Sequence, residues 1–292
     1  MDKCFLCPRR CGVSRKENNY GFCRSGLDVR VARIAPHYWE EPCICGENGS
    51  GTVFFVGCNL RCSYCQNGLI SGGGDIGKVF SASELADEYM KLQDMGVSNV
   101  NFVTPTHYSY IIPESLDIAW EKGLYLPAVY NCGGYESVET LKALSGYISV
   151  YLPDFKYLSP EMSKRYSSAP DYPDVAKKAL AEMVRQRENV YTADGMLKKG
   201  VIVRHLVLPG YTEESKKVLD YLHGEYGDDI IISIMGQYTP FEGCPDELSR
   251  KLSDAEYDDI VDYALKIGIS NAYIQSTESA SESFVPKWDF IE

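Results

Sequence analysis

Thr52-Val53-Phe54-Phe55-Val56-Gly57-Cys58-Asn59-Leu60-Arg61-Cys62-Ser63-Tyr64-Cys65-Gln66-Asn67 joins two kinds of sequence. Its first five residues are a short β-branched and aromatic run stopped by Gly57, which reads as a strand. The remainder sets three cysteines on one loop directly after that strand. Runs of similar apolar character recur at 101–104, 126–130, 147–152, 201–208, 230–235 and 272–275. They are continuous rather than alternating, the pattern of parallel strands buried on both faces. Between them lie amphipathic stretches with helix-start signals. Ser81-Ala82-Ser83-Glu84 and Ser253-Asp254-Ala255-Glu256 both match the capping box, and Gly96 and Gly268 stand where a helix C-terminus belongs. Pro173 opens a further helical stretch that runs to Glu188. Six or seven βα units over about 240 residues predict an α/β fold, either a doubly wound sheet or a full or partial (β/α) barrel. The pattern alone does not separate these. In each, ligands gather at the carboxyl ends of the strands.

Composition narrows the function classes. The chain of 292 residues is 45% hydrophobic and 24% charged, as expected of a soluble globular protein. Lys and Arg number 29 against 41 Asp and Glu, a net charge of −12, which argues against broad nucleic-acid affinity. No apolar stretch approaches the roughly 20 residues of a spanning helix, so no membrane association is expected. Met1-Asp2-Lys3-Cys4 carries no apolar core of a secretory signal, and a cytoplasmic location is expected. No repeat or long linker is visible; Ser71-Gly72-Gly73-Gly74 makes a flexible join after the cysteine loop.

Nine of the eleven cysteines fall in the first 65 residues. In a reducing compartment such clustering points to metal rather than disulfides. The division expected is a cysteine-rich extension over 1–48 and a core over 49–292. In the loop, Cys58, Cys62 and Cys65 have the spacing C-x3-C-x2-C with aromatic Tyr64 before the third. Three thiolates on one loop suit three corners of a [4Fe–4S] cube and leave the fourth iron open to a small chelating molecule. The competing reading is half of a structural zinc site, with Cys62 and Cys65 paired to another C-x2-C such as Cys4 and Cys7. The third cysteine, the aromatic residue and the βα setting favour the cluster.

This loop resembles the hallmark of the radical S-adenosylmethionine (SAM) superfamily. The wider run of Glu40-Glu41-Pro42, Gly49-Ser50-Gly51-Thr52 and the loop itself is similar to its pyruvate-formate-lyase-activating-enzyme-like branch. The likeness continues through Thr104-Pro105-Thr106-His107, Tyr130-Asn131, Ala169-Pro170-Asp171-Tyr172 and Arg204-His205-Leu206-Val207-Leu208-Pro209-Gly210. The resemblance implies a partial (β/α)6 TIM-type barrel with the cluster at its mouth. It implies an oxidoreductase that reductively cleaves SAM to methionine and a 5′-deoxyadenosyl radical, which abstracts hydrogen from a substrate. It also implies a reduced flavodoxin or ferredoxin as electron donor. The leading substrate expectation is a protein, through activation of a glycyl radical enzyme; the alternatives are a small molecule or an RNA base. A non-catalytic zinc or electron-transfer protein is the rival from another class, and it leaves Asp154, Lys156 and Arg204 without a purpose.

Carried over residue by residue, Cys58, Cys62 and Cys65 match the cluster ligands and Tyr64 the aromatic residue near the adenine. Asp154-Phe155-Lys156 looks like the Asp-x-Lys that contacts SAM, against a simple surface ion pair. Arg204, inside an apolar strand, needs a partner such as a ligand carboxylate. Asn131 fits the strand-end residue near the ribose. Two departures stand out. Where activating enzymes carry Gly-Gly-Glu, this chain has Thr104-Pro105-Thr106-His107, so the Thr hydroxyls are expected to accept hydrogen bonds from SAM. His107 is either a SAM or substrate contact or a capping histidine. Gly236-Gln237-Tyr238 stands where those enzymes tend to offer a His, which makes Gln237 a further contact. At the head, Cys4, Cys7, Cys11 and Cys23 supply four thiolates, enough for a zinc ion or a second Fe–S cluster.

Overall fold

The computed structural model describes residues 1–17, 19–275, 288 and 290. Ten strands form its sheet: β1 (Val29–His37), β2 (Ser50–Phe55), β3 (Lys78–Phe80), β4 (Val100–Val103), β5 (Ala128–Cys132), β6 (Val150–Pro153), β7 (Val190–Tyr191), β8 (Leu197–Leu206), β9 (Ile231–Met235) and β10 (Ala272–Ile274). The helices are α1 (Pro42–Cys45), α2 (Gly68–Ser71), α3 (Ala82–Asp94), α4 (Ile111–Glu121), α5 (Val138–Ala143), α6 (Pro160–Ser167), α7 (Tyr172–Gln186), α8 (Thr212–Tyr226) and α9 (Asp254–Lys266). All seven expected apolar runs are strands, and each pairs in parallel with its neighbour.

Strand order decides between the architectures that the sequence left open. Spatial order runs β10-β9-β8-β6-β5-β4-β2-β1-β3, so successive parallel strands always step in the same direction. A doubly wound sheet requires the direction to reverse. Right-handed crossovers that never reverse put their helices on one face, and the twisted sheet curls away from them. The result is an α/β barrel that stays open: among the described residues, β10 pairs only with β9 and β3 only with β1.

Strand periodicity sorts the side chains. One face of the curl, with Phe102, Tyr130, Tyr151, Val203 and Ile232, packs on the helices. The other lines the interior, where Val129, Val150, Leu152, Ile202 and Ile231 meet Cys43 and Ile44 of α1. This short helix plugs the base of the barrel, so Cys43 and Cys45 are packing residues. Above the plug the same strand faces turn polar at Asn101, Asn131, Asp154 and Arg204. α3 and α9 begin as their sequences imply: Ser81 and Ser253 each accept from the backbone of a Glu three residues on, which bonds back to the cap.

Three strands were not read from sequence. β1 carries arginines between its apolar residues and pairs antiparallel with β2 and β3, its residues buried or half-buried throughout. β3 and β7 are short. Because β1 lies inside 1–48, that stretch is hydrogen-bonded into the main sheet. Of the 49–292 stretch, 276–287, 289 and 291–292 lie outside the described residues.

Candidate active site

The carboxyl ends of the parallel strands surround a cavity of about 240 Å³. Strand ends contribute Phe54, Val103, Asn131, Asp154, Arg204, Leu206 and Met235, and the cysteine loop contributes Cys62, Tyr64, Cys65, Gln66 and Asn67. Lys156, Gln237 and Tyr238 complete one side, and His37, Trp39 and Glu40, which follow or end β1, complete the other.

Arg204 is the hub. Its Nε donates to Asp154 Oδ1 at 3.1 Å, Nη1 to Glu40 Oε2 at 3.2 Å, and Nη2 to Asn131 Oδ1. Lys156 Nζ donates to the other oxygen of Asp154 at 2.7 Å. Glu40 also accepts from Asn101 Nδ2 at 3.1 Å. Burial alone would raise the pKa of Asp154, but Lys156 and then Arg204 hold it below its ordinary value. Glu40 is pushed up, because burial outweighs Arg204. Neighbouring Glu41 is also pushed up by burial. The Asp154–Lys156 pair is therefore no surface ion pair: it sits in a charged, half-closed network where the local dielectric strengthens each contact.

The turn that carries Asp154 and Lys156 is itself fixed. The Tyr172 hydroxyl accepts from Lys156 N at 3.0 Å and lies 2.9 Å from the Asp154 carbonyl. Glu214 Oε1 accepts from the next two free amides, Leu158 N and Ser159 N, at 2.7 and 2.6 Å. Gly134 makes the close approach feasible: at φ +77°, a β-carbon there would stand 2.2 Å from the Asp154 carbonyl oxygen.

Tyr64 is buried within a cage of tyrosines, with ring centroids 6.2 to 6.5 Å from Tyr157, Tyr166 and Tyr238, and accepts a 2.6 Å hydrogen bond from the Tyr157 hydroxyl. Ser167 Oγ lies 3.0 Å from Cys62 Sγ. Cys58 does not line the cavity. Burial first, then proximity to Cys62 and Cys65, pushes it up to about 12. Leu60 N donates to its sulfur at 3.3 Å.

The expected site residues thus divide. Tyr64, Asn131, Asp154, Lys156, Arg204 and Gln237 line one cavity with Cys62 and Cys65. Thr104, Thr106 and His107 do not. Thr104 takes a left-handed backbone (φ +57°), and the chain after it turns away from the mouth. Thr106 donates to Glu136 Oε1 at 2.7 Å, and His107 Nε2 lies 2.7 Å from the Val56 carbonyl, both buried. Sequence reasoning passed over Glu40 as a site residue; its signal was an acidic pair set just before the apolar Pro42-Cys43-Ile44-Cys45 plug. His37, Trp39 and Tyr157 carried no signal of their own.

Residues 52–222 match the Radical SAM superfamily. The chain belongs to that superfamily. Two archaeal proteins of Methanocaldococcus jannaschii are similar along most of its length. "Uncharacterized protein MJ0674" is 29% identical, covering 92% of this chain and 76% of its own. "Uncharacterized protein MJ0808" is 24% identical, covering 86% and 72%. Among solved structures, a radical SAM methyltransferase from Sphaerobacter thermophilus aligns with TM-score 0.54 at 14% identity, over 79% of this chain and 68% of that one. Streptococcus suis SuiB bound to S-adenosylmethionine aligns at 0.53 and 13%, over 75% of this chain and 48% of that one, so the chain spans about half of SuiB. At these identities the structures share the fold.

Membership implies a [4Fe–4S] cluster and SAM, and the donor chemistry of the cavity fits both. Two thiols of the three-cysteine loop face it. The wall opposite pairs carboxylates with an ammonium and a guanidinium, the complement of an amino-acid end group. Among the described residues, no three His, Cys, Asp or Glu side chains are gathered closely enough to hold a metal ion as they stand, so loading requires thiols to draw together. No helix among the described residues is long and apolar enough to cross a membrane.

Proposed function

We propose that this is a SAM-cleaving enzyme in which Cys58, Cys62 and Cys65 hold the [4Fe–4S] cluster and the polar wall of the cavity binds SAM. The observation that carries the reading is the meeting of Cys62 and Cys65 with Asp154, Lys156 and Arg204 around one cavity at the strand ends. When bound, the two cofactors supply a one-electron cleavage that produces a hydrogen-abstracting radical. The residues of the chain bind and exclude. Asp154 and Glu40 offer carboxylates to a cationic group, and Lys156 and Arg204 offer donors to an anionic one. Asn131 and Gln237 offer amides, while Phe54, Val103, Leu206 and Met235 keep water from the reacting centre.

The substrate we favour is a protein segment, with hydrogen taken from its backbone as in glycyl-radical activation. The open sheet and the exposed Trp39 at the cavity rim support it by leaving room for an extended chain. The second reading is a small molecule or modified base; Gln237 and Tyr238 facing the cavity favour it. In either case the electron donor is a reduced flavodoxin or ferredoxin and the setting is the cytoplasm.

The test is anaerobic reconstitution with iron and sulfide, then dithionite and SAM, with 5′-deoxyadenosine as the product measured. Wild type is expected to form it and Cys62→Ala to form none. A fully loaded wild type that forms none with or without cell extract overturns the reading. Extract is then split by a size-retaining filter. Stimulation by the retained fraction supports a protein substrate, and stimulation by the filtrate supports the small molecule.

A further inference from the structure

Residues 1–17 and 19–25 fold as a compact knot whose chemistry the proposed reaction does not use. Cys4 N donates to Val13 O and Gly12 N to Cys4 O, both at 3.0 Å, drawing the first turn closed. Phe22 N donates to Cys11 Sγ at 3.4 Å. All four head thiols, Cys4, Cys7, Cys11 and Cys23, are free, and they line a single cavity of about 10 Å³, far too small for a substrate.

One further residue in that wall points to a missing anion. Arg15 is 1% exposed. Its hydrogen-bond partners among the described residues are carbonyls, Ser25 O at 3.2 Å and His107 O at 2.6 Å, and its Nη2 has none. Among the described residues no carboxylate bonds to this guanidinium, which lies 5.6 and 5.9 Å from the ring centroids of Tyr108 and Tyr110, and a buried guanidinium without an anion is costly. Four thiolates around zinc or around a [4Fe–4S] cube carry net negative charge and supply that anion.

The knot also grips the three-cysteine loop on both sides of Cys58. Arg9, between Cys7 and Cys11, donates from Nε to Asn59 O at 2.9 Å, from Nη2 to Ser167 O at 3.0 Å, and from Nη1 to Ser168 O. Its guanidinium lies 3.8 Å from the ring centroid of Phe22, which sits beside Cys23. On the other side, Gly57 (φ +97°) packs so closely that a β-carbon would stand 2.3 Å from Ser25 Oγ and 2.7 Å from the Cys23 carbonyl oxygen.

We infer that Cys4, Cys7, Cys11 and Cys23 form a second, four-thiolate metal centre, holding zinc or an iron–sulfur cluster, which braces the Cys58–Cys65 loop through Arg9. The centre itself is independent of the proposed function; only the bracing rests on it. The thiols draw together on the metal, and Arg15 offsets its charge.

The full chain carrying Cys58→Ser, Cys62→Ser and Cys65→Ser is purified anaerobically and dialysed against a chelator, then assayed for zinc, iron and sulfide. The centre predicts about one zinc, or roughly four irons with matching sulfide, per chain. It also predicts loss of that metal when Cys7→Ser and Cys23→Ser are added. A folded triple variant, judged by circular dichroism, that retains neither metal overturns it. For the bracing, Arg9→Ala in the otherwise unaltered chain is expected to keep the head metal while chelator strips the other cluster about tenfold faster, as the loss of two or three carbonyl hydrogen bonds implies. An unchanged stripping rate overturns the bracing. A chain that holds both the head metal and a fully loaded cluster on Cys58, Cys62 and Cys65 but forms no 5′-deoxyadenosine, with or without extract, leaves the centre standing and sinks the enzymatic reading.

Discussion

Arg204 shows how one side chain organises the mouth of the barrel. It bonds to Glu40, Asp154 and Asn131 at once, and those partners come from β1, β6 and β5 or the residues just beyond them. Arg204→Met leaves buried Glu40 without its cation and Asp154 with Lys156 alone, and we expect a loss of about 3 kcal/mol in urea unfolding together with weaker SAM binding by calorimetry. A loss under 1 kcal/mol would mean that the network is slack. Glu136 makes a prediction of a different kind. It is buried beneath the mouth, and burial raises its pKa from the ordinary 4.5 to about 7, against the hydrogen bonds from Thr106 and Tyr130. Between those values the folded chain binds more protons than the unfolded chain, so stability is full below about 4.5 and falls as pH rises to about 7. The total is about 3 kcal/mol. Urea midpoints between those pH values should slope downward for wild type and flatten for Glu136→Gln; parallel slopes would contradict the assignment. The residue scale is also where the sequence was hardest to read. Asp154, Lys156 and Arg204 stood out because charge in an apolar strand demands a partner. Thr106 and His107 looked equally polar and equally well placed, but the left-handed turn at Thr104 sends them into the core, and no residue pattern announces that turn.

Among elements, the parallel strands were legible because burial on both faces leaves continuous apolar runs, and α3 and α9 because their capping boxes sit in the sequence itself. Ser81→Ala removes the side-chain arm of the first box, leaving the backbone N–H at position 81 to donate to Glu84, and should cost about 1 kcal/mol in urea unfolding without changing the yield of 5′-deoxyadenosine. A change in yield with unaltered stability would contradict a purely capping role. β1 escaped notice because Arg30 and Arg33 interrupt its apolar residues, and because nothing local says which neighbour an antiparallel strand will choose. α1 escaped because four residues are too few to show a helical period; its role as a plug exists only once the strands have curled around it. The Asp154–Lys156 turn depends on contacts remote in sequence, from Tyr172, Glu214 and Gly134. Gly134→Ala should weaken SAM binding, and it should destabilise the fold by more than the about 1 kcal/mol that a left-handed backbone costs a β-carbon, since the Asp154 carbonyl must also move.

At the scale of the whole molecule, the architecture follows from one rule: strands added always in the same direction curl into a barrel that gathers their carboxyl ends. The sequence supplied the strands but not their spatial order, which is why a doubly wound sheet and a barrel were equally consistent with it. The extension and the barrel are physically joined, since β1 runs the length of β2 and Val31 is fully buried in the main core. Val31→Ala should therefore cost about 2 kcal/mol in the unfolding of the barrel itself, with circular dichroism and tyrosine fluorescence reporting one coincident transition. An early, separate transition would instead make the extension an independent unit. The central claim is that Cys58, Cys62 and Cys65 would hold the cluster and the Asp154, Lys156 and Arg204 wall would bind SAM beside it. The most direct test is the electron paramagnetic resonance spectrum of the reduced, reconstituted chain before and after SAM is added. We predict a cluster signal whose g-values shift with SAM, and Cys62→Ala abolishes that SAM-responsive signal while sparing any signal of the head cysteines; a fully loaded chain in which no cluster signal moves with saturating SAM would contradict the account.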